Sequence, residues 1–262
     1  MINLIKADFY KLFRTKSFYI NAILAILMCV SGVCIVYFTT QSLPSPYLGL
    51  NGVKAMTYAM MFMSSSNLLS LFCTIFLAIF IPNEFSFGTV KNILSSGQSR
   101  VSTYLSKLLI ALFVVFTYTT LCSIISLVVG SIFWGVGDVS RNEYLDIFRM
   151  IGLNIVVEFA MQCIFTMICF LVKRNGMSIA TNLIILMCTG RVIAPFINGL
   201  VEKFIRITNF DFNKYWPQTY AYMFSLLNIQ SEDIIMGLTV CGVAILVSSL
   251  VGILIFTNSD ID

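Results

Sequence analysis

Histidine is absent from this chain, charged residues make up only 11% of it, and none of the common catalytic signatures occurs. Each absence excludes something. Without histidine there is no Ser-His-Asp triad and most zinc centres are ruled out. No G-x-x-x-x-G-K-[ST], G-x-S-x-G or H-E-x-x-H stretch occurs, so phosphate-binding loop, nucleophile elbow and zinc-peptidase helix are all missing. An intramembrane protease needs a nucleophile with its base, or paired acids, and Glu158 alone supplies neither. An enzyme is therefore not expected. Soluble domains carry about 25% charged residues. At 58% hydrophobic and 262 residues, this chain instead suits one integral membrane domain, 1–262, with no room for a separate soluble enzyme.

Cysteine is not scarce, but its placement excludes a metal or disulfide framework. Cys29, Cys34, Cys73, Cys122, Cys163, Cys169, Cys188 and Cys241 all lie in apolar runs, and no C-x-x-C occurs. They read as small buried hydrophobes. The first apolar run is too long for a signal-peptide core and no A-x-A-like site follows it, so the N-terminus is expected to stay attached.

A transmembrane helix needs about 20 mostly apolar residues. Six stretches qualify: 18–38, 58–81, 108–134, 150–172, 177–200 and 234–256. The expected fold is an all-α membrane protein. Basic residues set its orientation. Lys6, Lys11, Arg14, Lys16, Lys91, Arg100, Lys107, Lys173 and Arg174 fall on one side, with only Asp8, Glu84, Asp260 and Asp262 as acids. Asp138, Glu143, Asp146, Glu202, Asp211, Glu232 and Asp233 fall on the other. Both termini are expected in the cytoplasm of a multi-pass cell-membrane protein.

Residues 1–17 read as an interfacial helix, with Ile2, Ile5, Phe9, Leu12 and Phe13 on one face and Tyr10, Lys11 and Arg14 opposite. It would lie on the inner surface and attract anionic lipid, or serve as a plain anchor. The external segment 201–233 is rich in aromatics but broken by Lys203, Arg206 and Lys214. It reads as re-entrant or interfacial helices, or as an aromatic belt at the headgroups. Gly190 and Pro195 permit a break in the fifth span that would begin it.

Two charges fall inside spans, Glu158 in the fourth and Arg191 in the fifth. Their depths differ by roughly one helical turn. They are expected either to pair and fix helix packing or to line a substrate path. Ser64, Ser65, Ser66 and Asn67 interrupt the second span, and Thr117, Thr119 and Thr120 the third.

The polar stretch 83–100, NEFSFGTVKNILSSGQSR, separates two apolar spans on the cytoplasmic side. Phe85 and Phe87 read as bare aromatics, Gly88 lets the backbone turn, and Ser95, Ser96 and Gly97 read as a turn before the next helix. The segment is either a docking site that passes a push to the spans or a plain connecting loop.

Glu84-x-x-x-Gly88-Thr89, followed by Leu94, Ser99-Arg100, Tyr104, Leu105 and Lys107, resembles the segment after the second span in ABC-2-type transporter permeases. The resemblance extends over the whole chain in length and layout. It implies pairing with a second permease, identical or homologous, above two ABC ATPase subunits that hold the ATP and magnesium. It also implies that Glu84, Phe85, Phe87, Gly88, Thr89, Lys91 and Leu94 meet the ATPase, beside the interfacial helix with Ile5, Phe9, Leu12 and Phe13. The small single-unit form resembles permeases of antimicrobial-peptide and lantibiotic export and immunity systems, so the expected cargo is a hydrophobic or amphipathic compound. No cofactor, metal or nucleic acid is expected for this chain. The alternatives are a membrane protein that senses a peptide without moving it, and a gradient-driven transporter.

Overall fold

The computed structural model of the chain describes residues 2–42, 52–135, 141–205, 210–226 and 229–259. Asp138, Arg206, Asp260, Asp262 and the side chains of Ser65 and Glu143 lie outside the described residues. The helices are α1 (Ile2–Arg14), α2 (Lys16–Ser42), α3 (Gly52–Ser65), α4 (Leu68–Ser86), α5 (Thr89–Ser95) and α6 (Arg100–Trp134). They continue as α7 (Arg141–Val172), α8 (Asn175–Cys188), α9 (Ala194–Ile205), α10 (Gln218–Phe224) and α11 (Ser231–Asn258). The described residues contain no strand. Among the described residues, six stretches are long and apolar enough to cross a membrane: Lys16–Thr39, Leu68–Ser86, Arg100–Trp134, Leu145–Val172, Asn175–Phe204 and Ser231–Asn258. The all-α, six-span architecture expected from the sequence is the one observed.

The helix containing the fourth span, α7, starts at Arg141, nine residues before the apolar run, and three further differences each have a local reason. The second span is not one helix. It breaks after α3, where Asn67 takes a left-handed conformation (φ 56°), which asparagine tolerates better than most residues. The helix of the third span, α6, starts eight residues before the apolar run, at Arg100, because the Ser99 side chain caps it by accepting from the Ser102 amide. The fifth span does not break at Arg191. A π-helical turn, Thr189–Ile193, joins α8 directly to α9. Proline has no amide hydrogen to give the preceding turn, and the wider turn absorbs Pro195 without ending the helix.

The interior is organised around α4, the most enclosed of the six spans, while α2, α8–α9 and α11 have few buried residues. Phe76, Phe80, Tyr104, Tyr118, Phe170 and Phe256 are fully buried. Tyr118 still finds an acceptor, donating to the Phe18 carbonyl at 2.8 Å. Six of the eight cysteines are buried and all are free thiols.

The segment between the fifth and sixth spans divides in two. Its helix α10 packs into the bundle, with Tyr220, Ala221 and Phe224 against Leu153, Val157 and Ala160 of α7. Tyr215 and Tyr222 stay exposed. A short helix thus enters the bundle while neighbouring aromatics remain on its outside.

Two glycines allow α11 to approach closely. A Cβ at Gly237 would collide with the rings of Phe224 and Tyr220, and one at Gly252 with the Tyr104 hydroxyl and ring. Gly252→Ala should therefore overpack the interior, costing about 1–3 kcal/mol and lowering the Tm of the purified protein. Gly242→Ala, where a Cβ would meet nothing within 4 Å, should leave Tm unchanged.

Candidate coupling site

Three fully buried charges meet at the end of the bundle where α1 lies. Asp8 on α1, Glu84 in the last turn of α4 and Lys107 near the start of α6 are 3%, 2% and 1% exposed. Lys107 Nζ stands 2.5 Å from Asp8 Oδ1 and 2.8 Å from Glu84 Oε1. Lys11 Nζ completes a quartet, 2.7 Å from the same Glu84 oxygen, with its side chain 38% exposed. The Ser106 hydroxyl donates to Asp8 Oδ2. Both ammonium groups also face the Phe80 ring, at 5.0 Å for Lys11 and 5.5 Å for Lys107.

Two positive and two negative charges cancel. Desolvation is offset only when every member has its partner. The sequence reading treats Lys107 as a loop charge preceding its span. In fact it lies within α6, because that helix starts at Arg100, and it points inward at two acids.

The burial of α1 is rotated from the expected face. Its enclosed residues are Leu4, Asp8 and Leu12. Ile5 and Phe9 are half-buried, and Ile2 and Phe13 are exposed. Phe9 and Phe13 contact the Phe113 ring edge-on at 5.0 and 5.8 Å. Lys11, expected on the outer face, turns inward to Glu84. The helix therefore has three sides: one on the protein, an apolar flank, and a polar flank with Lys6, Tyr10 and Arg14.

The 83–100 stretch is not a loop. Asn83–Ser86 continues α4, Gly88 turns the chain at φ 67°, α5 follows, and Gly97 turns it again at φ 86° before α6. Glu84 is consequently buried and cannot itself present a docking surface. Phe85 is not bare: its ring lies edge-on to Phe170 at 5.6 Å and to Phe256 at 6.1 Å. Val90 is buried, Leu94 packs against the core, and Thr89 is half-buried. The outward face is Phe87, 80% exposed, with Lys91, Asn92 and Ser95.

Other contacts tie this junction to the remaining helices. Asn175 Nδ2, at the start of α8, donates to Asn83 Oδ1 at 2.5 Å. Arg100 Nη1 donates to the carbonyls of Phe256, Thr257 and Ser259 at 2.9, 3.0 and 2.6 Å, a cation on the electronegative C-terminus of α11. The N-terminal helix, the 83–100 junction, the α7–α8 turn and the end of α11 thus share one end of the bundle. The helix α5 itself packs on α4, and Asn83, Glu84 and Arg100 on either side of it make the contacts to α8, to α1 and α6, and to α11. Sequence reasoning missed Asp8, Asn83, Ser106 and Asn175 as members. The available signal was Asp8, a single acid in a basic helix.

Glu158 and Arg191 are not brought together. Glu158 is buried in α7 and accepts from the Ser70 hydroxyl. Arg191 lies in the π-helical turn with its side chain exposed. The expected pair fails because matching depth along two helices does not fix the direction in which each residue faces.

Lys107→Met would leave Asp8 without its ammonium partner and strip Glu84 of one. Breaking a buried pair costs about 3–5 kcal/mol, so this variant should unfold at markedly lower denaturant. Lys11→Met removes a half-exposed partner and should cost no more than about 1 kcal/mol. Equal effects in chemical denaturation would contradict the assigned hierarchy.

No curated protein matches the chain. The family described as ABC-2 family transporter protein matches residues 4–189, most of its length. That match takes in the charge quartet and the whole 83–100 junction. The chain belongs to the ABC-2 transporter family: it is a multi-pass membrane permease subunit of an ABC transporter, the transmembrane component that partners ABC ATPase subunits and not the ATPase itself.

Proposed function

We propose that this permease receives the motion of its ATPase through the α4–α5–α6 junction and exports a hydrophobic or amphipathic compound such as an antimicrobial peptide, in immunity or resistance. The observation that carries the coupling role is the charge quartet. It joins the junction to α1 and α6 at a point where Phe87, Lys91 and Asn92 stand exposed just outside it. The partner binds ATP and magnesium. It touches the outward face, and Glu84, Phe85, Gly88, Thr89 and Leu94 carry the displacement inward.

The basic bias of Lys6, Lys11, Arg14, Lys16, Lys91, Arg100, Lys173 and Arg174 supports a cytoplasmic α1 end with both termini inside. The exposed apolar flank of α1 supports contact with membrane lipid. A second permease, identical or homologous, completes the transporter, and the wide exposed faces of α2, α8–α9 and α11 leave room for it and for lipid.

Two cavities beside α11 favour an amphipathic cargo. One, of about 380 Å³, is lined by Asp211, Lys214, Tyr220 and Asp233. The other, of about 410 Å³, is lined by Tyr215, Val240, Val243 and Val247. Residues 233, 236, 240, 243 and 247 recur at helical spacing, so both cavities open on one side of α11.

The test is co-purification with the ATPase encoded nearby. Phe87→Ala combined with Lys91→Glu should lose the ATPase while Tm stays within about 0.5 kcal/mol equivalent of the parent, since both side chains are exposed. Phe85→Ala should instead lower Tm. Undiminished ATPase recovery by the Phe87/Lys91 variant would remove the docking assignment. Export is tested by ATP-dependent loss of a labelled antimicrobial peptide from cells.

A further inference from the structure

Glu158 differs from the other buried acids of this protein. Asp8 and Glu84 each meet a lysine, but among the described residues Glu158, 1% exposed, makes no ion pair. Its neighbours are uncharged. The Ser70 hydroxyl donates to its Oε2, and the same Ser70 Oγ lies 3.0 Å from Gln218 Oε1. The titratable groups within electrostatic reach are the thiols of Cys73 on α4 and Cys241 on α11, which bring no positive charge.

The surroundings are polar to an extent that packing does not require. Asn154, Glu158, Gln162 and Thr166 follow one another at four-residue steps along α7, all buried, a stripe about 18 Å long at 1.5 Å per residue. Thr74 on α4 donates to Gln162 Oε1 at 3.3 Å, and Gln162 Nε2 reaches the Ser70 carbonyl at 3.5 Å. Yet Asn154 Oδ1 and Thr166 Oγ1 have no hydrogen-bond partner. A stripe serving only to pair helices would satisfy its own members. Ser70 and Gln218 both face the Glu158 carboxyl, so a carboxyl, a hydroxyl and an amide converge.

A lone carboxylate in an apolar interior requires a positive charge from somewhere. We infer that Glu158, Ser70 and Gln218 form a buried site for one small monovalent cation, a proton or an alkali ion. The oxygens of a carboxylate, a hydroxyl and an amide suit a hard cation. A proton on Glu158 would equally complete the chain from Glu158 to Ser70 to Gln218. The site lies where α10 docks. Gln218 opens α10, and Ser225, just past its end, accepts from Asn154 Nδ2 at 3.4 Å and pairs with Ser64 at 3.2 Å. The bound charge therefore holds α10 against α4 and α7.

Infrared difference spectroscopy of the full-length purified protein against Glu158→Gln tests this without any ATPase. In alkali-free choline buffer at neutral pH, a protonated-carboxyl band belonging to Glu158 is expected. If sodium, potassium or lithium leaves it unchanged, the occupant is a proton. If one of them converts it saturably to a carboxylate band, the occupant is that ion. A Glu158 carboxylate band in alkali-free buffer overturns the inference. Should Glu158→Gln fail to fold, the wild-type minus Ser70→Ala spectrum reads the same group. Loss of the Ser70 hydroxyl must shift the Glu158 carboxyl band, and an unshifted band overturns the site.

Discussion

Neutralising charge in a low-dielectric interior is the constraint on which this structure turns. At the α1 end, Lys107 meets Asp8 and Glu84 at once and Lys11 shares Glu84. Three elements of the chain are involved in that balance: the N-terminal helix, the end of α4 with its Phe80 ring, and the start of α6. Withdrawing α6 would strand Asp8, withdrawing α4 would take the carboxylate from Lys11, and withdrawing α1 would strip Lys107 and Glu84 of one partner each. The result is a stiff joint between a surface turn and several spans. Apolar packing alone is non-directional and would permit sliding; a shared carboxylate oxygen does not.

The junction separates two jobs along a few residues. Phe87 and Lys91 face outward, while Glu84 and Phe85 face inward. Gly88, in the left-handed region, reverses the chain between them. The outward and inward faces are thereby joined with no long loop between them. Away from that end, α10 is held by amides and hydroxyls, by the lone Glu158 carboxyl through Ser70, and by close packing against Gly237. The two regions thus use different physics: charge pairing at one, amides and hydroxyls around an unpaired carboxyl at the other.

Much of the fold was legible in the sequence because it depends on quantities that are local. Apolar runs of sufficient length mark spans. Gly88 and Gly97 mark turns, and both do turn the chain. Where the sequence reading erred, it lacked direction. The polarity of 83–100 suggested a loop, but helices α4 and α5 continue through most of it, and Glu84 hides its charge against lysines distant in sequence. Lys11 looked like an outward cation for the same reason. Ile5, Phe9, Leu12 and Phe13 were grouped as one face, whereas the enclosed side centres on Asp8. Glu158 and Arg191 matched in depth but not in heading.

By itself, then, the sequence determined the solvent in which this chain folds, the number of spans, the turn glycines and the family, because hydropathy, length and local backbone preference need no partner. Only the tertiary structure decided which charges are satisfied and which is not. Asp8 and Lys107 are 99 residues apart, Lys11 and Glu84 are 73 apart, and Ser70 and Glu158 are 88 apart. Pairings of that kind depend on how helices rotate against one another, which is settled by packing across the whole bundle and leaves no local periodicity to read.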